Sequence, residues 1–210
     1  MHPYLDRLGV RPEVQELFAP FYDTDEAGNL RFSYGDGFEH YGLGFHRVPL
    51  FSGFWLAGNL CFQQVSTVII CSSAMEAIAW LEFNWHRLAD GFSLLFFSAG
   101  ASLSNEKTSW LREHFSNKKI VFVLGNDLLV RLSAVKLAAG ICGLNLQICY
   151  LAEEKVQILF RGQYYIFSSE NVSLNALEKL SGFRFRVIIS NPKNYNSFFE
   201  QLKAAAGLSF

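Results

Sequence analysis

The chain has 210 residues, of which half are hydrophobic, 21 are phenylalanine and 18% are charged. A chain of this length and composition can bury a sizeable core, which excludes an intrinsically disordered protein. The formal net charge of −1 excludes a general electrostatic attraction to nucleic acids or anionic membranes.

The cysteines and the N-terminal segment indicate the cellular compartment. Cys61, Cys71, Cys142 and Cys149 show no C-x-x-C spacing, and Cys71 and Cys149 lie in apolar runs where cysteine is usually a small buried hydrophobe. The first ten residues carry Asp6 and no long apolar stretch, and apolar runs elsewhere are too short to cross a bilayer. We therefore expect a reduced, cytoplasmic protein that does not span a membrane.

Residues 1–54 are predicted to form a small α+β lead-in. Pro3 and Pro12 suit the first turns of short helices. Closely spaced glycines among aromatic residues then predict tight β-hairpins. A phosphate-cradling glycine loop is the disfavoured alternative, because no helical pattern follows these glycines directly.

Residues 55–210 show alternating strands and helices. Strand patterns occur at Thr67–Cys71, Ser93–Phe97, Lys119–Leu124 and Leu146–Leu151. Ser73, Ser104 and Asp127 are typical residues at the starts of the intervening helices, and Ser73 with Glu76 forms a capping-box pattern. This alternation predicts an α/β fold with a mainly parallel central sheet of about four strands flanked by helices.

The rhythm changes after residue 154. Two β-rich runs joined around Gly162 predict a hairpin insertion near residues 156–168. A short helix from Ser173, a strand at Phe185–Ile189 and a helix from about Asn194 to Ala206 complete the predicted C-terminal addition.

Small and polar residues follow three of the predicted strands. Ser72 and Ser73 follow the first, Gly100 follows the second, and Asn126 and Asp127 follow the third. Ligands of open parallel sheets bind at the carboxyl ends of the strands, and helix N-termini favour phosphate. We expect these strand ends to lie together, with Ser72, Ser73, Gly100 and Asn126 as the candidate ligand- or phosphate-binding residues. Plain helix capping is the alternative for the two serines.

Three segments of the chain resemble the TOPRIM family, the catalytic domain shared by bacterial primases, topoisomerases and certain nucleases. The segments are VIICSSAMEAIAWL, FSAGASLSNEKTSWLREHF and VFVLGNDLLVRLSAVKLA. The lead-in, with YLDRLGVRPEV and LRFSYGDGFEHYGLGFHRVP, is similar to the segment preceding this domain in primase-like proteins of phages and mobile elements. The resemblance covers roughly residues 4–150. It implies a TOPRIM-like fold.

The chain departs from the family at the positions that carry its chemistry. Ser72 stands where the family has a glutamate that acts in acid–base chemistry, and Gly125 stands where it has the first of two Mg²⁺-binding aspartates. Asp127 matches the second aspartate, which leaves open a weak Mg²⁺ site, with helix capping as the alternative. Glu76 is the one nearby acid able to replace the missing glutamate, although the capping box also explains it. No other cofactor is expected.

His46 and Arg47 correspond to a basic pair that the family lead-in often carries, so the resemblance implies nucleic-acid contact there. A surface position on a hairpin is the alternative for this pair.

The first functional hypothesis is a non-catalytic TOPRIM-like protein, an accessory of DNA processing or of a mobile element, whose partner is DNA or a DNA-processing protein. The second is a divergent, active Mg²⁺-dependent nucleotidyl transferase or nuclease that uses Asp127 with Glu76 or another acid. The third is a small-ligand-binding α/β module that holds an anion at Ser72 and at the loop between Gly100 and Ser104. The sequence indicates no oligomeric state.

Overall fold

The computed structural model describes residues 1–42, 44–48, 50, 52–87, 93–100 and 103–208. Within them the strands are β1 Asp23–Thr24, β2 Leu30–Ser33, β3 Phe38–Gly42, β4 Phe45–Arg47, β5 Trp55–Gly58, β6 Thr67–Cys71, β7 Leu94–Ser98, β8 Lys119–Val123, β9 Leu146–Leu151, β10 Lys155–Phe160, β11 Gln163–Ser168 and β12 Val187–Ile189. The α-helices are α1 Pro3–Arg7, α2 Pro12–Phe18, α3 Ala74–Asn84, α4 Asn105–Phe115, α5 Leu128–Ile141, α6 Leu174–Ser181 and α7 Phe198–Ala205. The chain is therefore an α/β protein with three sheets.

The central sheet has five strands in the order β12-β8-β6-β7-β5. The first four are parallel, and β5 pairs antiparallel with β7 at one edge. Strand β6 is the β-branched run TVIIC, buried along almost its whole length, as expected for a parallel strand covered on both faces. The predicted α/β class is thus confirmed, with four parallel strands and one antiparallel edge strand in the central sheet.

Helices cover both faces of the central sheet. Ile69 and Cys71 of β6 belong to a hydrophobic cluster that also contains α3, α7 and the buried residues of the lead-in. Val68 and Ile70 point the other way, into a second cluster with α4, α5, α6 and the three-stranded sheet. This alternation along one strand is the two-residue period of a β-strand.

The lead-in forms two short helices and a four-stranded antiparallel sheet in the order β1-β2-β3-β4. It is attached to the α/β layer by the Trp55 indole, which donates to the Phe21 carbonyl over 2.8 Å, and by the Arg11–Glu82 ion pair at 2.8 Å. Its core residues are continuous with one face of the central sheet, so the lead-in and α3 share a single buried cluster.

The prediction that Leu146–Leu151 is a strand of the parallel sheet is wrong. As β9 it pairs antiparallel with β10, in a separate sheet ordered β11-β10-β9, and β12 provides the fourth parallel strand instead. Only residues 152–154 link β9 to β10, and so short a link joins antiparallel neighbours. The predicted hairpin near residues 156–168 is confirmed as β10 and β11.

Two helix boundaries also differ from those that the sequence predicts. The pattern predicts a helix from Asp127 to Ala139 that ends at Gly140, but α5 runs to Ile141. Gly140 therefore lies inside it, where a Cβ would meet the Thr108 methyl group at 2.4 Å. The last helix begins at Phe198 rather than about Asn194, because Ser197 caps it and residues 190–197 are not helical. Among the described residues, no helix has both the length and the apolarity to span a membrane.

Candidate functional site

The carboxyl ends of β8, β6 and β7 lie side by side, as the sequence predicts. Cys71 is aligned with Ser98 on one side and with Val123 on the other, and the Ser72 amide donates to the Val123 carbonyl over 3.4 Å. Helix α3 leaves β6 on one face, whereas α4 and α5 cover the opposite face. The crevice between β6 and β8 is therefore the topological switch point, where ligands of open α/β sheets bind.

Each helix at this edge begins with a side-chain cap. Ser73, Ser104 and Asp127 accept hydrogen bonds from the amides of Glu76, Lys107 and Val130 at 3.0, 3.3 and 3.0 Å. The predicted capping role of these three residues is confirmed.

A buried carboxylate from the lead-in lies at the N-terminus of α3. Glu39 on β3 accepts hydrogen bonds from the Ala74 amide at 2.9 and 3.1 Å and from the Met75 amide at 3.4 Å. Its side chain is fully buried, and the Tyr34 hydroxyl also donates to it. Burial raises the pKa of the Glu39 carboxyl. The hydrogen bonds from Ala74, Tyr34 and Tyr41 act in the opposite direction and lower this pKa.

Tyr34 connects this carboxylate to the end of the next strand. Its hydroxyl oxygen lies 2.8 Å from Ser98 Oγ, and Ser98 Oγ accepts a hydrogen bond from the Gly100 amide at 3.3 Å. Burial raises the pKa of the Tyr34 hydroxyl well above its usual value, so this side chain stays neutral. The polar groups at the ends of β6 and β7 therefore form one buried network.

The groups predicted to bind phosphate at β6 already have partners within the chain. The Ala74 amide donates to Glu39, and the Ser73 hydroxyl accepts from Glu76. A helix N-terminus favours any anion, and here a carboxylate of the protein itself provides it.

Glu76 does not turn toward Ser72. Its carboxylate accepts from the Phe198 and Phe199 amides at 2.5 and 3.0 Å, and so caps the N-terminus of α7 instead of closing the capping box. Burial raises the pKa of the Glu76 carboxyl to about 7, opposed by these two amides. The residue joins α3 to α7.

The end of β8 is covered by residues 190–197. The Asn126 amide donates to the Asn196 carbonyl over 3.1 Å, and the Asn126 side-chain amide donates to the Tyr195 carbonyl over 3.2 Å. Gly125 has a φ of +107°, and a Cβ there would lie 3.1 Å from the Asn196 oxygen. Glycine is therefore required by the backbone conformation and by the covering segment.

The donor set at this strand end does not fit Mg²⁺. The exposed Asp127 already accepts a hydrogen bond as the cap of α5. Within the described ranges, no three histidine, cysteine, aspartate or glutamate side chains form a group able to hold a metal ion. Mg²⁺ bound by one carboxylate would depend on substrate phosphates for its other ligands.

The remaining candidate residues from the sequence are Gly100, His46 and Arg47. Gly100 is buried beside Ser98, while residues 101 and 102 of the following loop lie outside the described residues. His46 and Arg47 are exposed on β4, and the His46 ring stacks on Tyr41 with centroids 5.8 Å apart and contacts Phe199 edge-on. His46 of this pair thus contacts α7 through Phe199.

Sequence reasoning missed Glu39, Tyr34 and Lys107. Lys107 is 2% exposed, its Nζ donates to the Ala99 carbonyl over 2.8 Å, and desolvation lowers its pKa. An acid between aromatic residues in the strand FEHYG was the only signal for Glu39, and it did not reveal which face of β3 points inward.

Comparison with protein-family models, curated proteins and solved structures gives no match to this chain.

Proposed function

We propose that the protein is a TOPRIM-like α/β protein that binds a phosphate-bearing partner in DNA processing or in a mobile element without catalysing phosphoryl transfer. Four parallel strands with helices on both faces support the family resemblance. Ser72 and Gly125, at the two positions where the family has acids, support the loss of catalysis.

One observation carries this proposal: the chain's own groups occupy both sides of the switch point. Glu39 accepts hydrogen bonds from the amides at the start of α3. The Asn196 carbonyl lies against Gly125 and accepts a hydrogen bond from the Asn126 amide. A substrate phosphate placed between β6 and β8 would have to displace a buried carboxylate that accepts several hydrogen bonds. Removing hydrogen-bond partners from buried polar groups costs about 1–3 kcal/mol for each group.

The partner class follows from the resemblance. Arg47 is exposed on β4 with an exposed histidine beside it, a suitable position for a contact to a nucleic-acid phosphate. The net charge of −1 favours a local contact of this kind over a broad basic footprint.

The second candidate, a divergent Mg²⁺-dependent enzyme, is favoured by Glu76. A buried carboxyl whose pKa lies at about 7 can act as a general base near neutral pH. Its two hydrogen bonds to α7 argue for the structural role, because both carboxylate oxygens are already engaged.

Activity and Mg²⁺ affinity separate these candidates. We expect the wild-type protein to show no Mg²⁺-dependent nicking, relaxation or primer synthesis on DNA substrates. Calorimetric titration should give the same weak Mg²⁺ affinity for wild type and Asp127→Asn, a matched variant that keeps a good helix cap. Tight Mg²⁺ binding that Asp127→Asn abolishes, together with DNA cleavage by the wild type, would contradict the proposed function.

A further inference from the structure

A cavity of about 200 Å³ lies beside the ends of β8 and β12, between α5 and the start of α6. We call it the Arg131 cavity. Its polar lining consists of Asn126, Arg131, Ser173, Asn175 and Asn191, and apolar side chains of β8 and β12 form much of the rest. It lies near the covered switch point but does not involve the amides that Glu39 occupies.

Arg131 is held rigidly in the wall of this cavity. Its Nη1 donates to the carbonyls of Glu170 and Val172 at 2.6 and 3.0 Å, and its Nη2 donates to the Ser169 carbonyl at 2.9 Å. Its Nε is buried and has no hydrogen-bond partner. A buried donor without a partner carries a desolvation cost, so the guanidinium is not fully satisfied by its three carbonyl partners.

The guanidinium also has no carboxylate as a counter-ion. All three of its hydrogen bonds go to main-chain carbonyls, and none of the ion pairs found in the described part of the chain includes Arg131. The nearest acid along α5 is Asp127, whose carboxylate accepts from the Val130 amide. The positive charge of Arg131 is therefore available to a ligand.

The N-terminus of α6 forms the facing part of the lining. Ser173 caps this eight-residue helix by accepting from the Ala176 amide over 3.1 Å. Leu174 and Asn175 also line the cavity, and their amides lie in the first turn, where N–H groups have no acceptor within the helix. The positive end of the helix dipole lies at the same place. The carbonyls that hold Arg131 come from residues 169–172, directly before this helix, so the cation and the amides belong to one fixed unit.

The side chains of Asn126 and Asn191 contribute N–H donors to the lining of the cavity. Asn191 Nδ2 donates to Asn126 Oδ1 over 2.5 Å, which engages that acceptor and leaves a second N–H on the Asn191 amide group. The Asn126 side-chain amide donates to the Tyr195 carbonyl. A lining with one cation, helix-terminal amides and a spare amide donor is complementary to an oxyanion.

We infer that the Arg131 cavity binds a single phosphate group, an inference that rests on the binding role proposed above. The volume is several times the roughly 30 Å³ that a water molecule occupies in the liquid. It is smaller than the roughly 300–1,000 Å³ of sites that enclose drug-sized ligands. A phosphate group therefore fits, whereas a whole nucleotide would have to present its phosphate from outside.

The test uses the full chain and the variant Asn175→Asp. An acid in the first turn of α6 is favourable for the helix, so this variant should fold with wild-type or greater stability. The new carboxylate would belong to the lining that includes Arg131 and would repel an incoming oxyanion. Asn105→Asp is the matched control, since it makes the same change at an exposed asparagine in the first turn of α4.

Binding is measured by calorimetry with inorganic phosphate, and with an oligonucleotide carrying or lacking a 5′-phosphate. We expect saturable binding of phosphate or of the phosphorylated oligonucleotide by wild type and Asn105→Asp, and at least tenfold weaker binding by Asn175→Asp. Preference for one of the two ligands identifies the source of the phosphate group.

Absence of saturable binding by the wild type, or equal affinity of the two aspartate variants, would overturn the site. Neither result bears on catalysis. The proposed lack of phosphoryl transfer fails only through Mg²⁺-dependent DNA cleavage, which is measured separately.

Discussion

At the scale of single residues, Glu39 is the least expected feature of the protein. A carboxylate buried completely would normally be costly, but Tyr34 and the amides of Ala74 and Met75 supply the donors that it needs. The donors are fixed by α3 and by the lead-in, so the carboxylate joins these two parts of the chain. The same interaction removes the start of α3 from the groups open to an external anion.

Gly125 is the second residue that decides what this edge can do. An L side chain at φ +107° is strained, and its Cβ would approach the Asn196 carbonyl to 3.1 Å. An aspartate at this position would meet both obstacles, and residues 190–197, which cover β8, would have to shift by a few tenths of an ångström to accommodate it.

We predict that Gly125→Ala destabilises the protein more than Gly28→Ala does. Gly28 also has a positive φ, but a Cβ there meets nothing within 4 Å, so only the backbone cost of about 1–2 kcal/mol applies. Gly125→Ala adds the contact with Asn196 to that cost. Urea denaturation of both variants measures the difference. Equal losses of unfolding free energy would show that residues 190–197 accommodate the added Cβ without loss of stability.

At the scale of elements, Glu76 links the starts of two helices. It lies in the first turn of α3, and its carboxylate caps α7 through the amides of Phe198 and Phe199. Helix α7 and the preceding residues 190–197 are therefore held against the switch point by a titratable group. Glu200 lies nearby and adds to the rise in the Glu76 pKa.

The stability that Glu76 contributes should depend on pH. Its pKa rises from 4.5 to about 7 on folding, so the folded state binds more protons between these values. The contribution is complete below about pH 4.5, declines as the pH rises and is lost above about pH 7. At about 1.4 kcal/mol per pKa unit, the decline amounts to roughly 3 kcal/mol.

Glu76→Gln removes this titration. The unfolding free energy of wild type minus that of Glu76→Gln should therefore fall between pH 4.5 and pH 8. Glu113→Gln, the same change at an exposed glutamate, is the matched control. Chemical denaturation at several pH values measures both. A pH-independent difference for Glu76→Gln would show that the buried carboxyl does not titrate in this range.

The elements that the sequence predicts well are those governed by local patterns. TVIIC and KIVFV are apolar, β-branched runs, and Ser73, Ser104 and Asp127 are good caps, so strands and helix starts were readable. Strand β9 was assigned to the wrong sheet because its composition resembles that of a buried strand. Its burial alternates instead, and Cys149, expected to be buried, is exposed.

The parts of the site that escaped prediction depend on contacts between distant segments. Glu39 and Ala74 are 35 positions apart, and Asn126 and Asn196 are 70 apart. No local pattern encodes which side of β3 faces α3, or that residues 190–197 cover the end of β8. Arg131 carried no signal at all, because its role follows from carbonyls on another segment.

At the scale of the whole molecule, the central sheet, in which four of five strands are parallel, is covered by different elements on its two faces. The lead-in, α3 and α7 share one hydrophobic cluster, and α4, α5, α6 and the three-stranded sheet share the other. Within the described residues, the lead-in, which ends at residue 54, does not have a hydrophobic core of its own. Phe18 of the lead-in stacks on Trp55 and packs against Phe96 of the central sheet. The lead-in thus brings Glu39 to the sheet as part of the same core.

We expect two different responses at this edge when an oxyanion is added. The amides of Ala74 and Met75 in α3 donate to Glu39, whereas Leu174 and Asn175 at the start of α6 line the Arg131 cavity. NMR spectra of the ¹⁵N-labelled protein resolve the two regions during a titration with inorganic phosphate. Glu39→Gln is the comparison, because a neutral amide in place of the carboxylate weakens the anionic occupant of α3.

That titration tests the central claim most directly. In the wild type, we expect the Leu174 and Asn175 amide resonances to shift with phosphate while those of Ala74 and Met75 stay in place. In Glu39→Gln, the Ala74 and Met75 resonances should become sensitive to phosphate. Shifts of Ala74 and Met75 in the wild-type protein would mean that the switch point is open to phosphate, which would contradict the claim that the chain's own carboxylate closes it.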